Sequence, residues 1–70
     1  MRSYSPEFVQ IMRTALDEVM TQIPLERATL SIKAHMAEII LEAAAAGETT
    51  YDGLLAAASR QINVVLSVPG

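Results

Sequence analysis

Apolar side chains recur every three or four positions over residues 6 to 22, with polar side chains between them. This period predicts a helix with one buried face. Ser5 and Pro6 suit its start, because a Ser side chain accepts from a free amide and Pro lacks the amide that would stay unpaired there. Pro24 ends it, since the residue before Pro avoids helical backbone angles. The apolar positions are Phe8, Ile11, Met12, Ala15, Leu16, Val19, Met20 and Ile23.

Residues 29 to 46 form a second helical pattern that is apolar around most of its circumference. Thr29 is a suitable N-cap, and Gly47 suits the left-handed conformation that often follows a helix. The polar residues that follow one another at steps of four, three and four are Ser31, His35, Glu38 and Glu42. That spacing places them on one narrow stripe. The wide apolar remainder needs cover from two neighbouring helices, or from one helix and a second copy.

Residues 50 to 63 predict a third helix, with Thr49 and Asp52 as its capping pair. Gly53 weakens its first turn. Its predicted apolar stripe is Tyr51, Leu55, Ala58, Ile62 and Val65, with Leu54 and Leu66 at the margins. Because β-branched residues dominate the end of the chain, we expect extended backbone from Asn63 to Val68.

The fold class that follows is all-α, with one domain over residues 1 to 70. Short connections between helices at about 6–22, 29–46 and 50–63 imply antiparallel neighbours. The pattern is typical of a three-helix bundle, or of a helical hairpin with a third helix across it.

The composition favours self-association. A chain of 70 residues supplies a marginal core, and small domains are often stabilised by disulfides, metals or oligomerisation. This chain has no Cys and one His, so disulfides and a His-rich metal site within one chain are excluded, and oligomerisation is the remaining way to stabilise it. In addition, 51% of its residues are hydrophobic. We therefore expect a homodimer through helix 29–46, and an unidentified protein partner is a further possibility.

Charge and hydropathy argue against other classes of partner. The net charge is −3, whereas general nucleic-acid binding needs clustered Lys and Arg to displace counterions. No apolar stretch is long enough for a membrane span. The first 20 residues carry charges that a signal peptide would lack. We expect a cytoplasmic protein, since cysteine and a targeting segment are both missing.

The most enzyme-like residues are His35, Glu38 and Glu42 on the polar stripe of helix 29–46. A carboxylate-bridged metal centre in a bundle needs Glu-x-x-His pairs from several helices, and this chain has one His-x-x-Glu in the opposite order. We interpret the stripe as solvated. No nucleophile elbow or phosphate-binding glycine loop is present. We predict no catalytic, cofactor-binding or metal-binding residues, and a protein that is not an enzyme.

Residues 39 to 62 also have the outline of a helix-turn-helix, with an apolar helix, a short turn and a second helix. A recognition helix needs Arg, Lys, Asn or Gln to contact bases. The third helix offers Arg60, Gln61 and Asn63 near its end. A DNA-associated regulatory domain is thus the alternative to a non-enzymatic, self-associating interaction module.

The order of residues along the chain also carries a resemblance. The positions concerned are Leu16-Asp17-Glu18, Ile23-Pro24, Thr29, Ala37-Glu38-Ile39-Ile40-Leu41, Ala44, Gly47-Glu48, Leu54 or Leu55, and Ala57-Ala58. This order resembles short uncharacterised helical proteins of unknown function from alphaproteobacteria, over about residues 8 to 60. The matching positions are mostly helix caps and core positions, so the resemblance implies no activity and transfers no functional residue.

Overall fold

The computed structural model of the protein describes residues 4–67, and over this range it contains helices and no strand. Helix α1 is Pro6–Thr21, α2 is Leu30–Ala45 and α3 is Tyr51–Ser67. A short 3₁₀ helix, Leu25–Arg27, lies between α1 and α2. Each long helix packs against the other two. The predicted all-α class is confirmed, and the arrangement is a three-helix bundle.

The N-termini of α1 and α2 are capped as the sequence predicts. The Phe8 amide donates to the Ser5 hydroxyl oxygen at 3.1 Å. The Ile32 amide donates to the Thr29 hydroxyl oxygen at 3.2 Å. Each bond satisfies an amide that has no partner inside its helix. The two helices therefore start at positions that local chemistry defines.

The C-terminus of α2 ends at a glycine in the left-handed region. Gly47 has φ 109°. Its amide donates to the Ala44 carbonyl at 3.1 Å, and the Glu48 amide donates to the Ala43 carbonyl at 3.0 Å. These two bonds form a Schellman motif, which satisfies the last carbonyls of the helix. The predicted role of Gly47 is confirmed.

The cap of α3 differs from the sequence prediction by one residue. Thr50, and not Thr49, accepts the hydrogen bond, from the Gly53 amide at 3.0 Å. The helix accordingly begins at Tyr51. A Cβ on Gly53 would lie 2.0 Å from a carboxylate oxygen of Glu48. Gly53 thus leaves the space that the Glu48 side chain occupies beside this first turn.

The C-terminal end of α3 also corrects the prediction. The helix does not stop at residue 63 but continues to Ser67, and Val68 lies outside the described residues. One guanidinium nitrogen of Arg27 donates to the Leu66 carbonyl at 2.6 Å. Val65 is buried in the core. These two tertiary contacts hold the last turn helical and outweigh the β propensity of its residues.

The core is entirely apolar within residues 4–67 and takes side chains from all three helices. Leu54 is fully buried at its centre, whereas the sequence pattern places it at the margin of the α3 stripe. Ile23 extends the core beyond the end of α1. The buried residues are Met12, Ala15, Val19, Ile23, Met36, Ile40, Ala44, Leu54, Ala58 and Val65.

Candidate interaction surface

Helix α2 borders a surface groove against each neighbouring helix, and a further recess lies beside the connection from α2 to α3. The α1–α2 groove has a volume of about 200 Å³. Arg13 is the one charged residue in its lining, and the other side chains are apolar. The full lining is Val9, Met12, Arg13, Leu16, Ala37, Ile40 and Leu41. An apolar groove open to water is a typical feature of a surface that binds another molecule.

A row of apolar residues runs along α2 beside this groove. We call it the α2 stripe, and it consists of Leu30, Ala34, Ala37 and Leu41. Steps of four, three and four place them on one side of the helix. Leu30 is 85% exposed and Leu41 is 49% exposed. Packing of α1 and α3 therefore leaves part of the apolar circumference of α2 in contact with water.

The α2–α3 groove, on the other side of α2, is larger and more polar. Its volume is about 430 Å³. His35 and Glu42 line it from α2, and Arg60 and Gln61 line it from α3. The apolar part of its lining is Ile39, Ala43, Ala57, Val64 and Val65. Water can hydrogen-bond to the polar groups of this groove, so covering them with apolar side chains would cost free energy.

The structure divides the polar stripe of α2. Ser31, His35, Glu38 and Glu42 are all exposed. His35 and Glu42 belong to the α2–α3 groove, whereas Glu38 lines neither groove. Among residues 4–67, no three His, Asp or Glu side chains come close enough together to hold a metal ion.

The residues considered for DNA contact are also separated. Arg60 and Gln61 line the α2–α3 groove, and Asn63 is exposed elsewhere on α3. The Glu42 carboxylate lies in the same groove as the Arg60 guanidinium. A carboxylate in the same groove as the cation weakens the attraction of that surface for phosphate.

The sequence did not single out Leu30 and Leu41, the two exposed large apolar residues of α2. Periodicity identified α2 as apolar on most sides, but it could not tell which positions the other helices leave uncovered. Three further large apolar side chains are exposed off the α2 stripe. They are Val9, 37% exposed in the lining of the α1–α2 groove, Leu25, 91% exposed in the 3₁₀ helix, and Val64, 59% exposed in the α2–α3 groove.

No helix within residues 4–67 is both long enough and apolar enough to cross a membrane. Comparisons with protein-family models, with curated proteins and with solved structures each found no match to this chain. The resemblance to short alphaproteobacterial proteins stays a prediction.

Proposed function

We propose that the protein is a non-enzymatic interaction module that forms a homodimer through the α2 stripe and the α1–α2 groove. One observation carries the proposal: Leu30 and Leu41 remain exposed next to an apolar groove after both other helices have packed against α2. A second copy that covers this surface would bury the exposed apolar side of α2 and leave its polar row in water.

Covering Leu30 and Leu41 contributes part of the free energy that a dimer needs. Fully burying a Leu side chain contributes about 1.5–3 kcal/mol relative to leaving it in water. A two-fold interface contains Leu30 and Leu41 twice, because the same patch is present on both copies. Loss of translational and rotational freedom opposes this gain by about 4–15 kcal/mol, so the apolar lining of the α1–α2 groove has to contribute as well. We propose a weak dimer, with a dissociation constant on the order of 10 μM.

A second copy is the proposed occupant because the surface complements itself in charge. Arg13 borders the groove on the α1 side. Glu38 lies on the opposite side of the α2 stripe, in the polar row of α2. A patch with one sign of charge at each margin can satisfy both margins by pairing with its own copy. The lack of cysteine suits a reducing compartment, and we propose the cytoplasm as the location.

Sedimentation velocity on a matched pair of variants tests the proposal. Leu41→Glu places a charge in the proposed contact, and Val64→Glu places the same charge on an exposed apolar position of the α2–α3 groove. We expect the wild type and Val64→Glu to dimerise with similar affinity. Leu41→Glu should stay monomeric even at a protein concentration about ten times the wild-type dissociation constant.

Circular dichroism should show the same helix content for all three proteins. A wild type that is monomeric up to about 1 mM, a concentration that detects even weak contacts, would overturn the proposal. So would dimerisation of Leu41→Glu at wild-type affinity.

The competing hypothesis of a DNA-associated domain predicts a different result. Such a protein would be retained on duplex DNA at low salt and released as salt rises, because phosphate contacts displace counterions. We expect no retention at low salt. Retention that the Arg60→Ala variant loses would favour the DNA hypothesis over the interaction module.

A further inference from the structure

Charged residues border the α2 stripe on both sides, and their signs differ. Lys33 lies four residues before Ala37 and seven before Ile40, so it shares the side of α2 that forms the α1–α2 groove. Arg13 lines that groove from α1. One margin of the stripe is therefore cationic.

The other margin is acidic. Glu38 lies three residues after His35 and four before Glu42, so it shares the polar row of α2 and not the groove side. Its side chain is exposed, as are those of Lys33 and Arg13. These three side chains are free to meet charges on a docked molecule.

The two ways of pairing α2 with a second copy bring different margins together. If the two α2 helices run antiparallel, each margin meets its own copy, so cations face cations and Glu38 faces Glu38. If they run parallel about a two-fold axis along the helices, the cationic margin of one copy meets the acidic margin of the other. Like charges directly opposed are destabilising, so the parallel arrangement is favoured.

We infer that the second copy docks with its α2 parallel to the first, so that Arg13 and Lys33 of each copy face Glu38 of the other. This inference rests on the proposed function, since it assigns an orientation to the same surface. The second copy is recognised by the cations on one margin of the α2 stripe and the carboxylate on the other.

The spacing of the α2 stripe fits this arrangement. Steps of four, three and four are those of the a and d positions in a coiled coil, with Ala34 and Leu41 at a and Leu30 and Ala37 at d. Lys33 then occupies a g position and Glu38 the e position five residues later. Residues at e and g form the salt bridges that set orientation in parallel coiled coils. The two alanines let the helices approach closely.

Two variants with exchanged charges test whether opposite charges pair between the two copies. Glu38→Lys makes both margins cationic, and the double variant Arg13→Glu/Lys33→Glu makes both acidic. Each should dimerise at least about tenfold more weakly than the wild type, because like charges then face each other twice in the dimer. A mixture of the two restores opposite signs at both margins, so it should form a heterodimer of near wild-type affinity.

Glu18→Lys is the matched control for the change in net charge. Glu18 is exposed on α1 and does not line the α1–α2 groove. Lowering the net negative charge by itself reduces general repulsion, so Glu18→Lys should dimerise as well as the wild type or slightly better. A loss of affinity in Glu38→Lys alone would therefore report a specific contact.

Orientation is measured separately with single cysteines, which the natural sequence lacks. In the parallel arrangement Leu30 lies opposite Leu30 of the second copy. In an antiparallel one centred on the stripe, it would lie opposite Leu41, about 16 Å along the helix. We expect Leu30→Cys to form a disulfide-linked dimer on mild oxidation. A disulfide needs Cα atoms within about 7 Å, so the antiparallel arrangement would give none.

The outcomes separate the two proposals. A monomeric wild type overturns both the homodimer and its orientation. A wild-type dimer that Leu41→Glu abolishes supports the homodimer. If Glu38→Lys leaves the affinity of that dimer unchanged, or if Leu30→Cys crosslinks only to Leu41→Cys, the parallel arrangement is wrong. The homodimer itself is then still supported. Restored affinity in the charge-exchanged mixture, together with the Leu30→Cys crosslink, supports the inference.

Discussion

The two grooves beside α2 share a helix but differ in chemistry. The α1–α2 groove is lined by apolar side chains and Arg13, whereas the α2–α3 groove contains His35, Glu42, Arg60 and Gln61. Both are open to solvent. Water hydrogen-bonds favourably to the polar groups of the α2–α3 groove. Covering the α1–α2 groove removes apolar surface from water and so lowers the free energy. The two grooves therefore differ in the chemistry of their linings and not in whether they are exposed, and the proposed interaction surface is chosen on that chemistry.

The contrast is sharpest between neighbouring residues of α2. Ile40 is 2% exposed in the core, and Leu41 is 49% exposed on the α2 stripe. Glu42, the next residue, lines the polar groove. Three consecutive side chains thus face the core, the proposed partner and water. Substitutions at these and nearby positions should separate folding from association.

The largest effect is expected for Ile40→Glu. This change buries a carboxylate among apolar side chains without a partner, and its cost exceeds the roughly 3–5 kcal/mol that a core of this size supplies. We expect an unfolded chain by circular dichroism. Ile40→Val, the matched control, should fold and lose about 1 kcal/mol. A cooperative, fully helical Ile40→Glu variant would show that α2 is not buried at this position.

A smaller loss is expected for Gly47→Ala, at the end of α2 next to the connection to α3. Nothing lies within 4 Å of a Cβ at Gly47, so the cost arises from the left-handed backbone alone. We expect about 1–2 kcal/mol less stability in urea unfolding.

Gly53→Ala is the control for Gly47→Ala, because Gly53 lies inside α3 and the three atoms nearest to a Cβ there belong to the exposed side chain of Glu48. That side chain can move, so the change in stability should stay within about 1 kcal/mol. Equal losses for the two variants would contradict the role given to Gly47. Neither variant should alter dimerisation, because both lie away from the α1–α2 groove.

The smallest effect is expected for Arg27→Ala. The variant loses the hydrogen bond to the Leu66 carbonyl and a cation at the negative end of the α3 dipole, together worth about 1 kcal/mol. Amide hydrogen exchange should rise in the last turn of α3, which carries Val64 and Val65 of the polar groove. Exchange in α1 and in the first half of α2 should not change.

Arg27→Lys is the control, since it keeps the charge near the helix terminus while removing the guanidinium. It should show an intermediate increase in exchange. Unchanged exchange in the last turn of α3 for Arg27→Ala would mean that this contact does not hold the helix beyond residue 63.

Features with a local cause could be predicted from the sequence. Ser5, Thr29 and Gly47 act within a few residues of themselves, and the structure gives each the predicted cap. The apolar period of α1 likewise identified its buried residues. At α3 the predicted cap, Thr49, was wrong by one position, because the neighbouring Thr50 has the same hydroxyl and is the residue that directly precedes the helix.

Features with a long-range cause could not be predicted. Arg27 reaches a carbonyl 39 residues away, a contact that no local pattern indicates. The helical period of α3 does extend to Val65, but the β propensity of residues 63 to 68 predicted extended backbone there. The exposure of the candidate surface also depends on long-range packing. The sequence shows that α2 is apolar on most sides, but the positions of α1 and α3 decide that Leu30 and Leu41 stay exposed while Ile40 is buried. The polar row of α2 was found, yet its division between the groove and the stripe margin was not.

Solution mass as a function of concentration tests the central claim most directly. Sedimentation equilibrium of the unmodified chain, at about 1 μM and about 500 μM, brackets the expected dissociation constant. We predict a mass near 7.6 kDa at the lower concentration and close to twice that value at the higher one. A mass of 7.6 kDa at both concentrations would contradict the claim that the α1–α2 side of the protein is covered by a second copy.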